Sequence, residues 1–109
     1  MNLQIQWTPT ALQSLSEVLD YTYGQFGERQ LRKLTRQIHA SARRVSIFPL
    51  LGKRETKLIK ATGIEYHSTV VIKQIKLIYT VDKDILYVRF IKNNRMDDST
   101  LLKKLQYDR

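Results

Sequence analysis

Residues 65–95 constrain the fold most, because they contain three consecutive β-rich segments that end just before an arginine. They read EYHSTVVIKQIKLIYTVDKDILYVRFIKNNR. Valine, isoleucine, threonine, tyrosine and phenylalanine are abundant here, and these residues favour the pleated, half-buried surface of a sheet. The segment therefore predicts a three-strand meander, and the residues upstream of it are expected to cover one of its faces.

The polar residues 82–84 fix the turn between the last two strands, because they are the only polar cluster between residues 75–81 and 85–91. We expect a two-residue loop at Lys83 and Asp84. A slip of one residue would put Lys76 among the core residues of the neighbouring strand, so this register is favoured. It pairs Tyr79 with Val88 and Leu77 with Phe90. One face of the hairpin then carries Ile75, Leu77, Tyr79, Val81, Leu86, Val88 and Phe90. The other, expected to be a basic and aromatic face, carries Lys76, Ile78, Thr80, Tyr87, Arg89 and Ile91.

The N-terminal residues predict a strand followed by a helix. Apolar residues at positions 3, 5 and 7 alternate with polar ones, which is the period of a strand with one buried side. Thr8 is a typical N-cap and Pro9 a typical first helical residue, so the helix begins there. Gly24 and Gly27 end this helix in a short turn around Phe26.

A second amphipathic helix is predicted from about residue 28 to residue 47, before Pro49. Two helices joined by so short a turn form an antiparallel hairpin, and its apolar side covers the apolar face of the sheet. The aromatic residues near the turn, Tyr21, Tyr23 and Phe26, are expected to pack within this hairpin. The predicted fold class is α+β, with an N-terminal strand, an antiparallel helical hairpin on a small antiparallel sheet ending in a three-strand meander, and a short C-terminal helix.

The composition indicates one domain over residues 1–109 with a preference for anionic partners. The chain has 19 basic and 10 acidic residues, a net charge of +9. This balance favours nucleic acid, an acidic protein or a membrane surface, although a basic, solvated surface is the alternative. Cysteine is absent, which excludes thiol catalysis and disulfides. No segment has the length of a membrane span or the pattern of a signal peptide, so we expect a cytoplasmic protein.

Basic residues are concentrated between residues 29 and 60, where ten of them accompany a single acid, Glu55. Four of the ten are predicted to lie in a loop after Pro49, where they are free to contact phosphates. They are Lys53, Arg54, Lys57 and Lys60. For the basic residues on the second helix, the alternative is a helix face kept soluble by like charges.

Catalytic candidates are few. The chain has no paired carboxylates on one face and no glycine-rich phosphate loop, and its two histidines have no companions for a metal site. We therefore expect no metal and no cofactor. His67, Lys76, Arg89 and Arg95 remain, and such residues can orient an RNA strand, remove the 2′-hydroxyl proton and stabilise a charged phosphorane.

The order and spacing of several motifs resemble the RelE/ParE superfamily of bacterial toxins from type II toxin–antitoxin systems. No single motif is specific, but together they cover most of the chain. They are Trp7-Thr8 with Ala11 and Leu15, Tyr21 with Phe26-Gly27, Pro49-x-x-Gly52, Tyr66-x-x-x-Val70 leading to Lys76-Leu77-Ile78-Tyr79-x-Val81, and the last strand running into Arg95.

The resemblance implies a growth-inhibiting toxin and an acidic, cognate antitoxin that wraps it and determines its oligomeric state. Some members of the superfamily cleave mRNA on the ribosome, whereas ParE-like members poison DNA gyrase. The long helical hairpin and the Pro-x-x-Gly turn are similar to the ParE, or plasmid-stabilisation, side. A non-catalytic basic module that binds nucleic acid or an acidic protein remains the alternative function.

Two positions depart from the ribonuclease pattern. His67 stands where the family commonly has an arginine, and residues 96–102 lack the tyrosine or histidine that ribonucleases often have beyond the matching arginine. Arg95 still matches that near-terminal arginine and is the first candidate for function; its alternative role is an ion pair with Asp97 or Asp98. These two acids are also expected to cap the C-terminal helix.

Overall fold

The computed structural model describes residues 2–106, which form a five-stranded sheet with helices on both of its faces. The strands are β1 (Gln4–Trp7), β2 (Lys53–Arg54), β3 (His67–Ile72), β4 (Ile75–Asp82) and β5 (Ile85–Asn93); the helices are α1 (Pro9–Phe26), α2 (Glu28–Ile47), α3 (Thr56–Thr62) and α4 (Asp98–Leu105), with a single 3₁₀ turn at Pro49–Leu51. The predicted α+β architecture is confirmed.

The strand order is β1-β5-β4-β3-β2. The expected antiparallel meander of β3, β4 and β5 is present, and β2 extends it at one edge. At the other edge β1 pairs with β5 in parallel, so the sheet is mixed. The chain passes through α1 and α2 between β1 and the meander, and this crossover makes the parallel pairing possible.

The helical hairpin forms as expected, but α1 continues through Gly24 to Phe26, so the predicted turn around Phe26 is wrong. The Thr8 hydroxyl caps α1 by accepting the Ala11 N–H at 3.1 Å, and Pro9 is the first helical residue. Gly27 alone separates α1 from α2, and its φ of 84° lies in a region that an L side chain rarely adopts. The second helix ends at Ile47, two residues before Pro49. The first core lies between this hairpin and the sheet; its buried residues are Ala11, Leu34, Ile38, Ala42, Val45, Ile75, Leu77, Tyr79, Leu86, Val88 and Ile91.

The predicted register of β4 with β5 is right near the turn and wrong beyond it. Asp82 faces Ile85 and Tyr79 faces Val88 as expected, and Lys83 takes a positive φ of 58° in the two-residue loop. A β-bulge at residue 89 then shifts the pairing by one residue, so Leu77 lies opposite Ile91 instead of residue 90. Because a bulge of one residue exchanges the two faces, the expected sides of the residues after it are reversed.

The second face of the sheet carries the expected basic and aromatic residues in part, but α3 and α4 cover some of it and bury Ile78 there. The bulge turns Phe90 towards this side, where it packs in a second core. The buried residues of this core are Leu58, Tyr66, Ile78, Phe90, Leu101 and Leu105. Lys76, Thr80, Tyr87 and Arg89 lie on this same face. Asp97 caps α4 as predicted, accepting the Thr100 N–H at 2.8 Å.

The loop predicted after Pro49 is also wrong. Lys53 and Arg54 form the short edge strand β2, and the residues that follow form α3, which carries Lys57 and Lys60. Burial of Leu58 in the second core stabilises this helix. The sequence pattern did not reveal that burial. None of the helices described is long and apolar enough to cross a membrane.

Candidate functional site

Lys76 is held in a half-buried polar cluster on the second face of the sheet. Its Nζ lies 3.1 Å from Oε2 of Glu55, and the Ser68 hydroxyl donates to the same oxygen at 2.6 Å. Burial raises the pKa of Glu55, but these two hydrogen bonds and the charges of Lys76 and Lys53 outweigh it and hold that pKa below its ordinary value. Lys76 is therefore bound to a carboxylate inside the protein and is not a free general base.

His67 lies on the opposite face of the sheet. It stands directly across from Tyr79, and the two rings stack with centroids 5.8 Å apart and planes inclined by 28°. Neighbouring residues along a strand point to opposite sides, so His67 faces the helical hairpin whereas Ser68 faces the Lys76 cluster. The two catalytic candidates His67 and Lys76 do not converge.

Arg95 occupies the turn between β5 and α4, at the edge of a groove. Its backbone N–H donates to Oδ1 of Asn93 at 3.0 Å, and its guanidinium makes no hydrogen bond or ion pair with any other residue between positions 2 and 106. Among those residues, neither alternative ion pair forms: Asp97 caps α4, and Asp98 lies 3.8 Å from Lys57. Arg95 is therefore an exposed cation that takes part neither in the Lys76 cluster nor in the His67–Tyr79 stack.

The groove beside Arg95 has a volume of about 930 Å³ and lies between the tip of the helical hairpin and the end of the sheet. Val18, Tyr21 and Phe26 of α1 line it, together with Ile72 and Ile75 of the meander. Lys33 of α2 adds a second cation. The prediction that Tyr21, Tyr23 and Phe26 pack within the hairpin is wrong, because all three are exposed. We call this feature the hairpin groove.

Arg89 lies on the second face, away from the hairpin groove. Its Nε donates to the Thr80 hydroxyl at 2.8 Å, and its guanidinium carbon lies 4.9 Å from the centre of the Tyr87 ring, a cation–π distance. The bulge explains this orientation, because residue 89 is the extra residue of β5. The guanidinium is thus fixed on an aromatic ring.

The four basic residues predicted for a phosphate-binding loop do not act as one group. Arg54 is paired with Glu65 through two contacts of 2.5 and 3.1 Å, which raise the pKa of Arg54 and lower that of Glu65. Lys57 and Lys60 lie on α3, and the charge of Lys53 acts on Glu55 in the Lys76 cluster. They are exposed, but they lie on two different elements.

Sequence reasoning missed two features of this region. The first is Glu55, which was visible as the one acid among ten basic residues and proves to be the anchor of Lys76. The second is an apolar surface at residues 48–51, signalled by four consecutive apolar residues directly after an amphipathic helix. No group of three His, Asp or Glu side chains within the described chain could hold a metal ion.

A small basic sheet protein backed by a helical hairpin is the class that these features define. The family model "ParE toxin of type II toxin–antitoxin system, parDE" matches residues 5–97. The chain belongs to the ParE toxin family, and an antitoxin partner is implied by that membership.

A solved structure of the chromosomal ParDE toxin–antitoxin system from P. aeruginosa has the same fold, with a TM-score of 0.64. The match covers 84% of this chain and 95% of that chain at 13% identity, so the likeness concerns the fold alone. A search of the curated proteins finds no match.

Proposed function

We propose that this toxin arrests growth in the cytoplasm by binding and poisoning DNA gyrase, not by cleaving RNA. The observation that carries the proposal is that the three catalytic candidates have three different sets of neighbours. In-line cleavage needs a base, a proton donor and a phosphorane-stabilising cation within reach of one phosphate. Lys76 is paired with Glu55, His67 lies on the other face of the sheet, and Arg95 lies at the hairpin groove.

Ribosome-dependent mRNA cleavage is the second candidate, and one observation favours it. The Arg95 guanidinium is exposed and makes no polar contact with the other residues described, so it is available to bind a phosphate. Arg89 on the Tyr87 ring is a further cation that RNA could reach. A ribonuclease built on these residues would still need a general base, and Lys76 is already paired with Glu55.

Inducible expression in a bacterial host separates the two candidates. The gyrase proposal predicts growth arrest, an SOS response, DNA cleavage complexes with purified gyrase, and intact mRNA by RNA sequencing. His67→Gln should leave the arrest unchanged, since His67 has only a packing role under this proposal. Cleaved mRNA with no SOS response, together with loss of arrest in Arg95→Ala, would establish the ribonuclease instead. Normal growth at confirmed expression would contradict both.

The antitoxin is expected to supply an acidic, amphipathic segment to the hairpin groove. The apolar lining of the groove, with the cations Lys33 and Arg95, supports this assignment. Phe26→Asp places a carboxylate in the groove and should weaken binding of the antitoxin by about tenfold or more. Isothermal titration with the product of the adjacent reading frame tests it, and an unchanged affinity would place the antitoxin elsewhere.

A further inference from the structure

Residues 48–51 form an exposed apolar surface at the C-terminal end of α2, which we call the apolar turn. Leu50 is 87% exposed, Phe48 62% and Leu51 59%. Three large apolar side chains left adjacent in water are typical of a binding surface. Leu50 and Leu51 belong to the 3₁₀ turn at Pro49–Leu51, and Phe48 is the residue before it.

The apolar turn is held in one position by a side chain of the central sheet. The Tyr79 hydroxyl donates to the Pro49 carbonyl at 2.7 Å and accepts the Gly52 N–H at 3.1 Å. A Cβ atom on Gly52 would overlap that hydroxyl and would lie 2.8 Å from the Ser68 carbonyl oxygen. Burial raises the pKa of Tyr79, and the Gly52 N–H offsets this only in part. The phenol is therefore neutral at physiological pH and keeps its donor proton.

The charge around the apolar turn limits what can cover it. Residues 43–54 contain four cations and no acid. Arg54 is paired with Glu65, whereas Arg43 and Lys53 have no ion pair within residues 2–106. A second copy of this chain would bring its own excess of positive charge to the contact. Nucleic acid would satisfy the cations but would leave the leucines without an apolar partner.

The shape of the apolar turn differs from that of the hairpin groove. A groove accepts an amphipathic segment, whereas an exposed apolar turn can enter a recess in a folded protein. The two surfaces lie at opposite ends of α2, whose 20 residues span about 30 Å. An antitoxin segment bound in the groove would therefore leave the apolar turn accessible to a different partner.

We propose that the apolar turn inserts into an apolar recess with an acidic rim on the toxin's target protein, with Leu50 as its central contact. This inference rests on the proposed function to the extent that the target is a protein. Under the gyrase proposal the recess belongs to gyrase. Arg43 and Lys53 would face the acidic rim, and Tyr79 acts as a positioning residue beneath the turn.

The test compares Leu50→Asp with Leu12→Asp, a matched control on α1 where the leucine is also exposed. Both changes add one negative charge at an exposed site and should shift the melting temperature by no more than about 3 °C. Leu50→Asp should raise colony survival under induction about 100-fold and weaken binding to purified gyrase about tenfold or more, whereas Leu12→Asp should match the wild type. Leu50→Ser, which adds no charge, should give the same result in weaker form.

Three outcomes would overturn the inference. The first is full growth arrest by Leu50→Asp. The second is loss of antitoxin binding with arrest retained, which would mean that the antitoxin covers the turn. The third is equal loss of arrest in both aspartate variants, which would reflect charge alone. The gyrase proposal can fail separately. If the wild type arrests growth without forming cleavage complexes, gyrase is not the target. The survival of cells expressing Leu50→Asp then still decides whether the apolar turn contacts the actual target protein.

Discussion

The two ends of α2 present two apolar surfaces that are positioned in different ways. At the C-terminal end, Tyr79 reaches from the sheet and bonds the Pro49 carbonyl within the apolar turn and the Gly52 N–H directly after it. At the other end, Ser14 reaches from α1 to the sheet beside the hairpin groove. Its hydroxyl accepts the Ile91 N–H at 2.9 Å and donates to the Ala11 carbonyl at 2.7 Å. Each surface thus depends on one hydroxyl that joins a sheet strand to the helical layer.

The two surfaces differ in how much open space remains beside each hydroxyl. Tyr79 occupies the space beside Gly52, where a Cβ atom would overlap its hydroxyl, and its two hydrogen bonds hold the backbone of the apolar turn. Ser14 pairs a backbone N–H next to the bulge and leaves the groove above it open, with Tyr21 and Phe26 exposed. A prearranged surface loses less conformational entropy on binding than one whose side chains must be ordered. The comparison therefore predicts a rigid contact at the turn and an adaptable one in the groove.

Gly52→Ala should have the largest effect on stability. The new methyl group would overlap the Tyr79 hydroxyl, so the phenol must move and both of its hydrogen bonds are lost. Overpacking together with unpaired buried polar groups should lower the free energy of unfolding by about 3 kcal/mol, measured by urea denaturation. The φ of −72° at this position is open to any residue, so the effect is steric and does not arise from backbone strain.

Gly24→Ala is the matched control for this change. Gly24 lies in α1, and a Cβ atom there meets nothing within 4 Å. The substitution should stabilise the protein by about 0.5 to 1 kcal/mol, because alanine favours a helix more than glycine does. If Gly52→Ala were as well tolerated as Gly24→Ala, the apolar turn would not be held by Tyr79.

Ser14→Ala should have the next largest effect, and it tests the groove end. The alanine leaves the buried Ile91 N–H without a partner, which should cost about 2 kcal/mol. Ser46→Ala is the control: Ser46 is equally buried, but its hydroxyl bonds only the Arg43 carbonyl of its own helix. A similar loss in both variants would show that hydroxyl burial, and not the link to the bulge, accounts for the effect.

Local signals predicted most of the fold. The threonine–proline pair at residues 8 and 9 marked the start of the hairpin and the glycine at residue 27 marked its turn. The period of two marked the strands. The bulge in β5 was missed because its cause is tertiary. The Ser14 hydroxyl on α1 accepts the Ile91 N–H, and Phe90 packs into the second core. The adjacent apolar residues Phe90 and Ile91 were the visible break in the alternation.

The candidate site was less predictable than the fold. Charge composition identified the basic residues but could not reveal that Lys76 and Arg54 are already paired within the chain. Their acidic partners are 21 and 11 residues away in sequence, so no local pattern connects them. The helix α3 was missed because seven residues carrying one buried leucine give too short a period to recognise.

The smallest predicted effect concerns Glu55, which follows β2 and fastens the residues after the apolar turn to β3 and β4. Its pKa is lowered in the folded protein, so the stability that it contributes is present above its ordinary value of 4.5 and is lost as the pH falls through the lower, folded value. Glu55→Gln should therefore reduce the free energy of unfolding by about 1 kcal/mol at pH 7, and this difference from the wild type should vanish in acid.

The exposed Glu65–Arg54 pair provides the control for Glu55, because its carboxylate also has a lowered pKa but lies in solvent. Glu65→Gln should change stability less than Glu55→Gln, and added salt should remove its effect, whereas the half-buried Glu55–Lys76 pair should resist screening. Urea denaturation at pH 7 and pH 3, with and without 1 M salt (a Debye length of about 3 Å), measures both. If salt removed the stability losses of Glu55→Gln and Glu65→Gln equally, the Lys76 cluster would be a solvated surface contact. The apolar turn would then depend on Tyr79 alone.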